Sequence, residues 1–256
     1  MSPSWELPTA DWIASIKRES RHLELAAART QLDWPVPTCP DWQVRDLVRH
    51  LGGVHRWATA HVAEQRLTAM PREEEYRLMG SAPADESLLS WFGTGHRALC
   101  RALSGATPEL QCWSFLPASS PLAFWARRQA HETEIHRADA EIAAGAVPTP
   151  FPAEVAADGV EELLFGFAPR RRRLGLESES RVALLPRDLS RGWLVRFGPS
   201  GVQAERVPGD ADCVIRGSAS EIYLLLWNRL SAETLQIDGD PQALANWRRA
   251  LKITWS

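Results

Sequence analysis

Apolar residues in the first part of the chain recur at helical spacing, whereas those of the last part form short runs between turn residues. Trp12, Ile13, Ile16, Leu23, Leu25 and Ala26, with charges between them, predict a helix over about residues 8–30. Pro35, Pro37 and Pro40 in DWPVPTCPDW break the pattern, because proline removes a backbone donor and clashes with the preceding turn. A second helix is expected from Asp41–Gln43 to about Met70, with Val44, Leu47, Val48, Leu51, Val54 and Ala58 as its core stripe. Gly52 and Gly53 weaken it by about 1 kcal/mol each where exposed, or else admit a closely packed neighbour. Residues 71–84, with Pro71, Gly80 and Pro83, read as a connection. Asp85 suits the cap of a third helix reaching about Ser104 and carrying Leu88, Leu89, Trp91, Phe92, Leu99 and Leu103. After a loop with Trp113, Phe115 and Pro117, Ser120 and Pro121 supply the cap and first-turn proline of a fourth helix, which ends near Ala144 before Gly145.

Four helices of this length can enclose one core as a bundle. Residues 153–168 suggest a fifth, shorter helix ended by the run Arg170–Arg173, and the period then changes. RVALLP, GWLVRFG, GVQAERV and DCVIRG are strand-length runs separated by Gly, Pro and Asp. SASEIYLLLWNRL reads as a helix capped by Ser218 or Ser220, LQIDGD as a last strand and turn, and PQALANWRRALK as a closing helix. The expected fold class is α plus α+β: a four-helix bundle over residues 1–150, then a small α+β domain over 151–256 whose first part, 151–175, is helix and linker. No internal repeat or low-complexity segment is present.

Composition narrows the setting. A hydrophobic share of 45% with 24% charged residues is that of a globular protein, and no run approaches the ~18 apolar residues of a membrane span. The opening MSPSWELPTADW has no basic segment followed by an apolar one, so a cytoplasmic protein is expected. A net charge of -3 argues against general affinity for nucleic acid. Of the 29 basic residues only Lys17 and Lys252 are lysine, the mark of a GC-rich coding bias that also deprives single arginines of diagnostic weight. Arg170–Arg173 accordingly reads as a solvated linker. Cys39, Cys100, Cys112 and Cys213 are scattered without a C-x-x-C pair and suit a reducing compartment.

The histidines carry more information. His22, His50, His55, His61, His96, His131 and His136 all lie in the predicted bundle, and none follows. Glu132 and His136, in RRQAHETEIHRADAE, are four residues apart and project from nearly the same helix face. A carboxylate and an imidazole so placed suit a borderline metal such as zinc, or else form an exposed charge pair. Bundles assemble metal sites across facing helices, so the third ligand is expected from another helix. His50, at the edge of the core stripe, is the choice; His55 lies about 140° around the helix and His61 about three turns along it. Asp46 and Asp139 are placed to steady a ligand imidazole. Arg127 and Arg128 suit either substrate charge or surface pairing. Cys39 reads as a small residue at a helix entrance, and Trp42, Trp57 and Trp125 as core residues or pocket lining.

VPTCPDWQVRDLVRHLGGVHRWA and FWARRQAHETEIHRADAE resemble the two N-terminal signatures of the mycothiol-dependent maleylpyruvate isomerase family, whose bundle belongs to the DinB-like group. DADCVIRGSASEIYLLLWNRL with LQIDGD resembles its C-terminal, sterol-carrier-like domain, so the likeness spans nearly the whole chain. The resemblance implies that His50, Glu132 and His136 ligate a divalent metal, usually zinc, that the cosubstrate is mycothiol, and that the source is actinobacterial. It also implies a catalytic role for Arg229, where the family tends to carry an arginine near the site; the same residue suits a solvent-facing helix C-terminus. The implied reaction is thiolate addition to the double bond of maleylpyruvate, rotation, and elimination of fumarylpyruvate. Its partners are then a small-molecule substrate and a low-molecular-weight thiol, with no nucleic acid or membrane, in a monomer or weak homodimer. The same site suits a mycothiol S-transferase, a metal-assisted hydrolase, or a non-catalytic protein that sequesters a ligand.

Overall fold

Prolines and caps set where the long helices begin. The computed structural model describes residues 7–171 and 174–251, so Arg172 and Arg173 of the arginine run, Lys252 of the closing helix and the opening MSPSWE lie outside the described residues. Helix α1 (Thr9–Ala27) follows Pro8, and α2 (Val44–Ala63) follows the proline-rich loop. The Gln43 N–H donates to Asp46 Oδ2 at 3.0 Å, closing the first turn of α2. That helix stops at Ala63, short of the expected Met70, because Gln65 turns left-handed at φ 51° and the Arg66 N–H folds back to the His61 carbonyl.

The segment expected as a connection contains α3 (Arg72–Met79). Pro71 and the acidic Glu73, Glu74 and Glu75 favour its N-terminus, but it buries no residue and so leaves no apolar period in the sequence. Asp85 does not cap α4 (Asp85–Gly105); it is the first helical residue, and its carboxylate takes Arg45 at 2.6 Å and Arg49 at 2.9 Å. Helix α5 (Pro121–Ala143) begins as expected, with Ser120 accepting from the Ala123 N–H, and ends before Gly145 at φ 73°.

The chain divides into two compact units, Met1–Thr149 and Pro150–Ser256. In the first, α1 packs on α5 and α4, and α2 packs on α4 and α5, giving a bundle of four long helices with α3 against α2. Leu23, Leu47, Leu51, Leu88 and Phe92 lie in one buried cluster with Ala140. The two glycines of α2 serve close approach. Trp91 covers Gly52 and is held there by Arg56, whose guanidinium carbon lies 3.6 Å from the ring centroid and whose Nη2 donates to the Trp91 carbonyl. Backbone atoms of Met79 abut Gly53.

In the second unit, α6 (Ala153–Glu161) continues through a π turn over Glu162–Phe167 and a 3-10 turn over Ala168–Arg170. Strands β1 (Ser180–Pro186), β2 (Trp193–Gly198), β3 (Gly201–Glu205), β4 (Cys213–Gly217) and β5 (Gln236–Gly239) form one sheet in the order β3-β2-β1-β4-β5. Among the described residues, only β1 and β4 pair in parallel. Helices α7 (Ala219–Leu226) and α8 (Pro241–Ala250) pack on β1 and β4, with Trp247 edge-on to Phe197. The capping box of Ser218 and Glu221 starts α7. It ends at Leu226, four residues earlier than the apolar pattern suggested, because Asn228 turns left-handed at φ 62°.

Two histidines are part of the bundle interior. His55 Nε2 donates to Thr133 Oγ1 at 3.0 Å, because the threonine hydroxyl itself donates to the Gln129 carbonyl. His61 is buried against Trp125, Trp113 and Trp57, and neither ring nitrogen has a partner among the described residues. Burial, with the like charge of His96, pushes His55 down to about 3; burial, with Arg66 nearby, pushes His61 down to about 4.

Gly52→Ala is expected to lower stability by about 1–3 kcal/mol in urea unfolding, because the overlap with Trp91 outweighs the better helix propensity of alanine. Both imidazoles have folded pKa values below the unfolded 6.5, so stability is full above that value and is lost as pH falls towards 3–4. Between pH 7 and pH 5 each should cost about 2 kcal/mol, and His61→Phe should remove its own share of that slope. An unchanged slope in His61→Phe would show that His61 is protonated in the folded state.

Candidate metal centre

The proline-rich loop delivers α2 with His50 facing α5, and helical spacing brings Glu132 and His136 to that same side. His50 Nε2 lies 3.2 Å from Glu132 Oε1, and His136 Nε2 lies 3.3 Å from the same oxygen. One ligand atom from each of the three residues falls within 4.8 Å of the other two. The two imidazole centroids are 5.0 Å apart. Glu132 and His136 are buried, whereas the His50 side chain keeps 12% of its surface exposed, which leaves the cluster an approach from the His50 side. His55 and His61 point elsewhere, as described above.

The ring orientations are held from outside the trio. His136 Nδ1 donates to Asp139 Oδ2 at 2.9 Å, which turns Nε2 towards Glu132 and His50. Asp139 is itself fixed by Thr38 Oγ1 at 2.5 Å and by the Cys39 thiol at 3.7 Å. Trp42 stacks on His136 at 28° and lies 4.8 Å from His50, walling one side of the cluster. The other carboxylate of the sequence expectation, Asp46, does not reach His50; as the third residue of α2 it faces the Gln43 N–H at the helix start. Arg128 is buried and pairs with Glu132 Oε2, so the surface-pair expectation is wrong for it. Trp42 lines the cluster, one of the two uses its sequence position allows, and Arg128 pairs with Glu132 at the four-residue spacing, though in the interior. Thr38 and Cys39, which reach Asp139 from the proline-rich loop, are the contributors that no sequence signal marks as supports of the site.

The electrostatics of Glu132 and His50 suit a cation. Burial would raise the Glu132 carboxyl, but the Arg128 charge and the hydrogen bonds from His136 and His50 hold it well below the usual carboxylate range. Burial lowers His50, favouring the neutral imidazole that a metal needs. Burial would lower His136 too; the hydrogen bonds and charges of Asp139 and Glu132 outweigh it and hold its pKa above the ordinary value. Two imidazole nitrogens and one ionised carboxylate oxygen form a donor set fitted to a borderline divalent metal, with fewer protein ligands than the four of a closed structural site.

Arg229 belongs to the second unit. It lies just past the end of α7, half-buried, with Nη1 donating to the Trp227 carbonyl at 2.8 Å. Among the described residues, no helix is long and apolar enough to cross a membrane.

Comparison with curated proteins gave no match. Two solved structures resemble the chain over 93% of its length and 96% of theirs, each at 14% identity. Both are crystal structures of mycothiol-dependent maleylpyruvate isomerase, one of them a histidine-to-alanine mutant, with TM-scores of 0.59 and 0.62 for the unmutated and mutant forms. At that identity the likeness is one of fold. Residues 14–141 match the mycothiol maleylpyruvate isomerase N-terminal domain, and residues 154–246 match the corresponding C-terminal domain. The chain thus belongs to the mycothiol maleylpyruvate isomerase family.

Proposed function

We propose that this protein is a metal- and mycothiol-dependent enzyme whose reaction is cis–trans isomerisation of a maleylpyruvate-type substrate. The observation that carries the reading is the convergence of His50, Glu132 and His136, with ligand atoms within 4.8 Å, in a chain of this family. These three residues would hold a divalent metal, zinc by donor type. When bound, such an ion stabilises a coordinated thiol as its thiolate near neutral pH, whereas a free thiol has a pKa of about 8.5.

The chain's own groups prepare that chemistry. Asp139 keeps the proton of His136 on Nδ1, and Thr38 and Cys39 keep Asp139 in place. Trp42 covers one side of the imidazole pair and excludes water there. The thiolate sulfur adds to one carbon of the double bond, the electron pair moves into the conjugated carbonyl, and the former double bond rotates as a single bond. Collapse of the enolate expels the thiolate and leaves the trans isomer, so no atom is gained and the thiol is regenerated. The substrate is anionic, and Arg229 is assigned to its recognition or to the developing enolate charge by its match to the family's arginine.

Untagged protein should contain about one metal per chain by mass spectrometry, as expected for a single three-ligand site. His50→Ala, Glu132→Ala and His136→Ala should each lose it, and His55→Ala should keep it. Turnover of maleylpyruvate should require mycothiol without consuming it. Stoichiometric loss of thiol would replace the isomerase by an S-transferase, and thiol-independent release of product would replace it by a hydrolase. Arg229→Ala should retain the metal and lose about 10²-fold in turnover, with part restored by Arg229→Lys. Full activity in Arg229→Ala would remove that residue from the mechanism.

A further inference from the structure

Glu132 is engaged at both oxygens. Oε1 faces His50 Nε2 and His136 Nε2, while Oε2 accepts a hydrogen bond from the Arg128 guanidinium one helical turn earlier. Arg128 and Glu132 are only 2% and 4% exposed. Helix energetics do not account for this pair. A cation placed before the carboxylate is the less favourable order of an i,i+4 ion pair. Desolvating both charges also costs several kcal/mol per ion before their attraction is counted. The guanidinium thus acts directly on a carboxylate of the candidate metal centre, and that is where its effect is sought.

We propose that Arg128 is a positioning residue that restricts Glu132 to a single metal-facing oxygen. This inference rests on the reading of His50, Glu132 and His136 as metal ligands. Carboxylates ligate metals through one oxygen or two. With Oε2 held by the guanidinium, only Oε1 is turned to the histidines, and three protein ligand atoms leave a fourth position open for a thiol. The guanidinium also offsets the glutamate charge, so the loaded site is one unit more positive than its ligands alone would leave it and favours a thiolate. Arg128 makes no step of the reaction itself. Its effect passes through Glu132.

Cobalt(II) in the full-length, untagged protein reads this directly, because its visible absorption is strong in four-coordinate sites and weak in five- or six-coordinate ones. Wild type should give the strong bands. Arg128→Met should give the weak ones as Oε2 joins the coordination sphere. It should also bind cobalt at least about tenfold more tightly in competition with a chelator, since a like charge close to the dication is gone. Arg128→Lys, which keeps the charge, should return the spectrum towards wild type. A merely structural arginine would change the unfolding midpoint and leave spectrum and affinity alone; that result in folded Arg128→Met overturns the inference. X-ray absorption at the zinc edge of the wild-type holoprotein supplies a test free of folding defects: one carboxylate oxygen supports the inference, and a bidentate carboxylate overturns it. Failure of wild type to bind cobalt or zinc would instead overturn the metal reading on which this one stands.

Discussion

A helix carrying Arg128, Glu132, Glu134, Arg137 and Asp139 can lie inside a bundle only if each charge meets a partner there, and this requirement governs α5. Glu134 accepts from Ser15 of α1 at 2.7 Å and pairs with His131 at 3.0 Å. Arg137 donates through Nε to Glu19 of α1 at 2.7 Å and through Nη1 to the Thr149 carbonyl. Buried charges of this kind contribute little net stability, since desolvation offsets most of their attraction. Their effect is on orientation. A rotation or slide of α5 would strand several charges at once, so the α1 side fixes which residues α5 turns towards α2. Those residues are Glu132, Thr133 and His136, which meet His50 and His55.

The second determinant is the loop between α1 and α2. Its prolines end one helix and set the start of the next, and the Val36 N–H donates to the Trp42 carbonyl to fold the segment on itself. Thr38 and Cys39 thereby reach Asp139, and Trp42 reaches both imidazoles. One short segment thus holds the support of His136, the wall beside His136 and His50, and the register of the helix that carries His50. A change at Thr38 or Cys39 would act on the candidate metal site through Asp139 without touching a proposed ligand.

Much of this was legible in the sequence, for physical reasons that differ by element. The four long helices showed because each has an apolar stripe or explicit end signals such as Ser120-Pro121 and Gly145. The strands showed as short apolar runs between Gly, Pro and Asp, but the parallel pairing of β1 with β4 depends on contacts distant in sequence. Helix α3 was hidden because it buries nothing. The early ends of α2 and α7 depend on left-handed Gln65 and Asn228; glutamine seldom adopts that conformation, and Asn228, whose type does so more readily, sits in an apolar pattern that continues through Leu230. The trio of His50, Glu132 and His136 was chosen from helical spacing and family resemblance, and the same three residues converge in space. Their supports were harder to read. Asp139 was visible as a neighbour on the same helix, whereas Thr38 is 101 positions away from it, and no local pattern links them.

The proposed metal lies between α2 and α5, held by residues whose directions the buried charges of α5 impose. Anomalous diffraction at the zinc edge, from crystals of zinc-loaded protein, tests that claim most directly. It predicts one strong peak among His50 Nε2, Glu132 Oε1 and His136 Nε2, with Asp139 still bound to His136 Nδ1. A peak at any other set of side chains, or zinc-loaded crystals with no density at the trio, would contradict it.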